Sequence, residues 1–261
     1  MVHDFFIRKR RNSLIFFGAV IIVTIGTMTL VGYDPAKGLT SIFQALIWGV
    51  SNFYPDAKAL QKLPDLLLKL RDTVLTSIAA TTTASVFALF MSLAGSKTTR
   101  INSIFGVISR GIASVFRNVP LVAWAMVLMI AFSQSQLTGY LALFCGSFGF
   151  LTRAFMETID EVGKDSVEAL KAAGATYFHI IFQAVLPSSM PQMISWLLYM
   201  IETNIRDATL VGILTGTGIG FAFDLYYNSL RYNIASLIVI LIIVTVMAIE
   251  FISNIIRRVI L

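Results

Sequence analysis

Apolar residues in this chain come in long, nearly unbroken runs rather than in the narrow stripes of a water-soluble helix. Runs at 14–31, 74–93, 137–155 and 234–256 each approach the roughly 20 residues that cross a bilayer's hydrocarbon. A further run, 101–132, is interrupted by Arg110, Arg117, Asn118 and Pro120. Pro120 disfavours helical backbone at Val119, which predicts a bend or break there. Another opens at Pro187 and passes Trp196 into Glu202-Thr203-Asn204-Ile205-Arg206-Asp207, ahead of a glycine-rich passage at 212–220. These runs predict an all-α integral membrane fold of about six transmembrane helices. Residues 41–50 are apolar but too short to span, and predict a helix lying in the interface. Trp48, Phe53 and Tyr54 suit headgroup depth there, and Pro55 and Pro64 punctuate the stretch up to position 71. The 74–93 run is rich in Ser, Thr and Ala, a composition that lets helices approach closely, so it is expected to face protein rather than lipid.

Composition agrees. Of 261 residues, 57% are hydrophobic and 13% charged, against about 25% charged in a soluble domain. Too little polar area remains to cover a globule in water. The formal charge of +6 raises nucleic acid as a partner, but Arg8, Lys9, Arg10 and Arg11 stand just before the first run and Arg257 and Arg258 just after the last. That is the placement of residues meeting lipid headgroups, so membrane lipids are expected partners and nucleic acid is not. The first run ends at Gly32-Tyr33-Asp34-Pro35 without a small-x-small cleavage site, and is read as an uncleaved span. Six spans place both termini, Lys97/Arg100 and the 157–177 loop in the cytoplasm of a bacterial cell, as a multi-pass protein of the inner membrane. Lys37, Lys58, Lys62, Lys69 and Arg71 fall on the other side, against the rule.

Candidate chemistry is sparse. Cys145 is single and sits in an apolar stretch, where it reads as a small buried hydrophobe. His3 and His179 have no metal-ligand or catalytic arrangement around them, so no cofactor, metal or catalytic residue is expected. Gly95-Ser96-Lys97-Thr98 lacks the Gly before Lys of a phosphate-binding loop, and Gly216, Gly218 and Gly220 lack the last Gly of a dinucleotide fingerprint, where Phe221 stands. The chain is not expected to be an enzyme.

The loop at 157–187 carries the most specific pattern. Asp165-Ser166-Val167-Glu168 has the form of a capping box, Glu168 and Lys171 have the spacing of an ion pair, and Gly174 supplies a stop. A second helix over 176–186 is expected to end at Pro187. Glu168-Ala169-Leu170, then Gly174 after three intervening residues and Ala184-Val185-Leu186-Pro187 after nine more, resemble the coupling loop of ATP-binding-cassette importer permeases. Leu170 and Ala184 depart from that family's usual Ala and Ile. The resemblance implies a type I importer permease (MetI-like) architecture. It also implies that Glu168, Ala169, Gly174, Leu186 and Pro187 couple to a separate ATPase that hydrolyses the ATP. Expected partners are two such ATPase subunits, an extracytoplasmic substrate-binding protein and a second copy of this chain. Residues 1–72 then form an N-terminal transmembrane helix with an extracytoplasmic loop, and 73–261 the transport core.

Glu202 and Arg206 share a helix face in the favourable order, and charges at membrane depth mark either a pathway or a structural pair. Both readings stand: the two residues neutralise each other, or Arg206 attracts an anion. The stretch from Ile201 through Gly220 is similar to that of phosphonate-uptake permeases, with Thr215 and Thr217 interrupting the glycines. The pathway residues expected are Glu202, Asn204, Arg206, Thr209, Gly216 and Gly218. The implied solute is a small anion, phosphonate or a phosphite- or phosphate-like oxyanion. A permease for another solute such as methionine is the alternative. So is a stand-alone secondary transporter with Glu202 or Asp224 carrying a proton, which leaves the 157–187 loop without a role.

Overall fold

The computed structural model describes residues 2–100, 102–162 and 164–260, with side chains for 8–100, 102–161 and 167–260. Every regular element among them is helical. The chain divides into two compact units, Met1–Phe53 and Tyr54–Leu261.

In the first unit, α1 (Val2–Val31) contains the expected first span, and its described apolar side chains other than half-buried Met28 are exposed, as lipid contact requires. Asp34 then caps α2 (Pro35–Asn52): its carboxylate accepts from the Ala36 and Lys37 N–H groups at 3.0 and 3.3 Å, with Pro35 preset in the first turn. That cap starts the helix six residues before the expected interfacial segment at 41–50.

The second unit opens with α3 (Ala57–Leu60) and α4 (Leu63–Gly95). α4 begins well ahead of the expected position 74. Pro64 is tolerated in a first turn, and Leu66 and Leu70 are buried, so two charged turns join the helix through their apolar members. One face of α4 is a stripe of small residues, Ser77, Ala80, Thr81, Ala84, Ala88, Ser92 and Gly95, all buried. Ser77 and Thr81 bond back to the carbonyls of Thr73 and Ser77, which lets a neighbouring helix approach without stranding a hydroxyl. α5 (Ser103–Asn118) and α6 (Leu121–Phe132) meet at 92° across extended Val119 and Pro120, the break that the proline predicts.

α7 (Gln136–Val162) is the central strut, the most buried of the candidate spans, and packs along α4. Cys145 on it is half-buried rather than enclosed. Then come α8 (Lys164–Ala172), α9 (Tyr177–Ile180), a π-helical turn at Ile181–Val185, α10 (Leu186–Thr215), α11 (Gly218–Asn228) and α12 (Tyr232–Ile260). Among the described residues four helices are long and apolar enough to cross a membrane, up to six if each bent pair counts as one span.

The expected stop at Pro187 does not occur. Helix continues from Tyr177 to Thr215, because the wide π turn at Ile181–Val185, with Leu186 N–H bonding the Ile181 carbonyl, absorbs the proline's missing donor and its ring. Glu202 to Asp207 consequently lie in mid-helix, and Gly212 is helical as well. The turn from α10 into α11 needs Gly216 and Gly218, whose φ values of +69° and +64° are left-handed.

Candidate functional site

Two regions gather the chemistry. The first is the turn between α7 and α10. Val167, 2% exposed, and Leu170 seat one face of α8 on a core of Ile159, Ile180 and Val185. The opposite face presents Glu168, Ala169 and Lys171 outward. α8 ends in a Schellman cap: Gly174 N–H bonds the Lys171 carbonyl at 3.0 Å and Ala175 N–H the Leu170 carbonyl at 3.0 Å. Gly174 carries φ +78°, and a Cβ there would meet open space, so conformation alone requires the glycine. The expected Glu168–Lys171 ion pair is not formed. Both residues are exposed, and water screens a pair worth a few tenths of a kcal/mol. Asp165, the other half of the expected capping box, lies outside the described side chains. Leu186 is half-buried, Pro187 is exposed, and His179 is an exposed helix residue of α9.

A latch beside this turn was not legible in the sequence. The Asp160 carboxylate accepts from Ser96 Oγ at 2.5 Å, Thr98 N at 3.1 Å and Thr98 Oγ1 at 3.1 Å. These bonds tie the loop after α4 to the end of α7, just before α8.

The second region is the middle of α10. Asn204 is 1% exposed, and its Nδ2 donates to Thr81 Oγ1 of α4 at 2.7 Å and to Ser147 Oγ of α7 at 2.5 Å. Its backbone carbonyl accepts from Ser77 Oγ at 3.3 Å. One amide thus clamps three helices. A residue type that is expensive in an apolar interior is satisfied by hydroxyls that also bond their own helices. Glu202 is buried and shared between two cations: Arg206 Nη2 lies 3.0 Å from Oε1 and Arg257 Nη2 3.8 Å from Oε2. Arg206 is half-exposed. Arg257, which the sequence presents only as a flanking charge, therefore reaches into the bundle. Its Nε and Nη2 are buried and make no hydrogen bond among the described residues. No local spacing links positions 202 and 257; only helix packing does.

Of the remaining expected pathway residues, Thr209 is half-buried with a hydroxyl that finds no partner among the described residues, and Gly216 caps α10. Gly218 stands in the wall of a cavity of 230 Å³ with Asp72, Thr73, Thr76, Gln136 and Thr217. Glu202, Asn204 and Arg206 do not line that cavity, so the structure separates the expected set into an interior polar cluster and a hydroxyl-lined pocket near the α10–α11 turn.

Comparison with known proteins agrees with this architecture. The model of the family "Binding-protein-dependent transport system inner membrane component" matches residues 84–261. The phosphite transport system permease protein PtxC of Stutzerimonas stutzeri is 31% identical, over 72% of this chain and 68% of its own length. The phosphate-import permease protein PhnE of Mycolicibacterium smegmatis is 35% identical over 55% of this chain, which spans only 27% of that relative. Among solved structures, an inward-facing form of the MetNI methionine ABC transporter superposes with a TM-score of 0.67 at 20% identity, over 75% of this chain and 96% of the matched one. At that identity the match speaks to the fold alone.

Proposed function

Because this chain belongs to the family of binding-protein-dependent transport system inner membrane components, we propose that it is the permease subunit of an ATP-driven importer whose solute is a small oxyanion of the phosphonate or phosphite class. The observation that carries this reading is the outward-facing Glu168-Ala169 turn seated by Val167 and Leu170 on the helical core. An exposed, rigidly mounted turn suits docking to a motor. Continuous helix from Tyr177 to Thr215 leads from it to the Asn204 clamp and the Glu202 cluster. A push on α8 is then delivered to the helix that holds α4 and α7 together, because packed cores shift between discrete arrangements rather than deforming smoothly.

In this reading Glu168, Ala169, Gly174, Leu186 and Pro187 form the coupling element within a transport core at 73–261, preceded by the segment at 1–72. Two copies of the chain enclose the path, and two separate ATPase subunits bind and hydrolyse ATP. A binding protein delivers solute from outside, and both termini face the cytoplasm. Glu202, Asn204, Arg206, Thr209, Gly216 and Gly218 belong to the moving interior, with the hydroxyl-lined pocket around Gly218 at its mouth. The names of the phosphite and phosphate permeases above support an oxyanion.

The test is reconstitution of the chain with its ATPase and binding protein in proteoliposomes, titrated with phosphonate, phosphite, phosphate and methionine. Stimulation of ATP hydrolysis by an oxyanion is expected. Stimulation by methionine alone would reject the solute and keep the importer. Solute uptake driven by an ion gradient without any ATPase would reject both.

A further inference from the structure

Where α4 ends, two guanidinium groups converge with no acid between them among the described residues. Around the position a Cβ would occupy on Gly106 stand Arg100 Cδ at 3.2 Å, Arg110 Nη2 at 3.3 Å and Arg100 Nη1 at 3.6 Å. Arg110 Nη1 donates to the Gly95 carbonyl at 3.3 Å, and Arg100 makes no side-chain hydrogen bond among the described residues. Among the described residues neither has a carboxylate within ion-pair distance: Asp160 is held by Ser96 and Thr98, and Glu157 by Arg153. Two like charges this close raise each other's energy unless an anion sits with them.

At the same end of α4 opens an apolar groove of 290 Å³. Phe90 and Ala94 of α4 and Phe105 of α5 form one wall, and Phe178 and Phe182 the other. Phe178 is 70% and Phe182 64% exposed, so their rings are left for an apolar chain to cover. Ala94 precedes Gly95 and Phe105 precedes Gly106, so groove and cations are carried by neighbouring residues of α4 and α5. Along α4, a candidate span, the order is apolar groove first and cations just past its last turn. A phospholipid has the same order, acyl chain and then phosphate. A basic pocket at a span's end with an apolar slot next to it is the arrangement that recognises anionic headgroups.

We propose that this is a binding site for an anionic phospholipid of the phosphatidylglycerol class, its phosphate between Arg100 and Arg110 and one acyl chain along Phe90, Phe105, Phe178 and Phe182. Since Phe178 and Phe182 come after the Gly174 turn, the lipid braces the helix that leaves it. The inference needs only that the chain spans a membrane, not that it transports any particular solute.

The test uses the full chain in neutral detergent, titrated with dioleoylphosphatidylglycerol or dioleoylphosphatidylcholine and read by native mass spectrometry. The expected result is about tenfold stronger retention of the anionic lipid, lost in Arg100→Gln/Arg110→Gln and kept in the charge-matched control Lys58→Gln/Lys62→Gln. Arg100→Gln alone gives a partial loss and breaks no hydrogen bond, which keeps the test available if the double variant unfolds. Phe178→Ala/Phe182→Ala weakens long-chain lipid while sparing a short-chain analogue. Equal retention of the two lipids by the unaltered chain, or an anionic preference that survives in Arg100→Gln/Arg110→Gln, would overturn the site. So would displacement of the lipid by millimolar inorganic phosphate, which would mark a site for free anions.

Discussion

Replacing Asn204 tests whether the middle of α10 is a clamp. Asn204→Ala removes two donated hydrogen bonds, to Thr81 and Ser147. The hydroxyls left behind still donate to the Ser77 and Leu143 carbonyls, at 2.7 Å each, so only acceptor lone pairs go unused and no donor is stranded. Interhelical bonds in membranes average about 0.6 kcal/mol and reach about 1.7. Two of them therefore give about 1–3 kcal/mol for Asn204→Ala. Asn204→Asp is expected to cost more despite its near-identical shape. At 1% exposure, a carboxylate facing hydroxyls whose protons point elsewhere must either carry a buried charge or take up a proton. The assay is unfolding in mixed micelles, monitored by far-ultraviolet circular dichroism, with double-mutant cycles to Thr81→Ala and Ser147→Ala. Coupling energies indistinguishable from zero in both cycles would refute the clamp, as would Asn204→Asp being no worse than Asn204→Ala. A change in transport KM with unaltered stability would place Asn204 against the solute instead.

Four other outcomes follow from the structure. Gly174→Ala forces a Cβ into left-handed backbone at about 1–2 kcal/mol and distorts the α8 cap; solute-stimulated ATP hydrolysis should fall several-fold, while Glu168→Lys on the exposed face should lower it with thermal stability unchanged. Glu202→Ala leaves Arg257, with its buried Nε and Nη2, facing Arg206 uncompensated and is expected to destabilise by about 3 kcal/mol; Arg257→Met/Glu202→Met should recover most of that loss, and a double variant no more stable than Glu202→Ala alone would contradict the account. Asp56 caps α3, and the Ala59 N–H, then the Asn233 side chain, hold its carboxyl below the ordinary range near 4. A lowered native pKa contributes stability that is complete above that range and lost as pH falls through the native value, so Asp56→Asn should flatten the acid limb of the melting curve below about pH 4 and leave the neutral region alone; an unchanged acid limb would remove Asp56 from the balance.

The spans are legible along the chain because bilayer hydrocarbon tests each segment locally: about 20 apolar residues either are present or are not. The break at Val119–Pro120 and the turn at Gly174 were legible for the same reason, since proline and glycine act on their own backbone. Local signals misled where packing had the last word. Pro187 signalled a stop, yet the π turn at Ile181–Val185 carried the helix through it. Charges at Lys69, Arg71 and Asp72 signalled a loop, yet burial of Leu66 and Leu70 drew them into α4.

Asn204, Glu202 and Arg206 could be picked out along the chain because polar groups at membrane depth are costly and conspicuous. Their partners could not. Thr81, Ser147 and Arg257 are ordinary residues on other helices, brought to Asn204 and Glu202 by the close approach that small side chains on α4 allow. Asp160 looked like one more loop acid until Ser96 and Thr98 folded back onto it. The sequence by itself determined the membrane class, the apolar runs and the place of the Gly174 turn, since each depends on neighbours along the chain. Only the tertiary structure decided which buried polar groups satisfy one another, because hydrogen bonds and ion pairs form between groups within a few ångströms, and contact between distant positions is set by how helices pack.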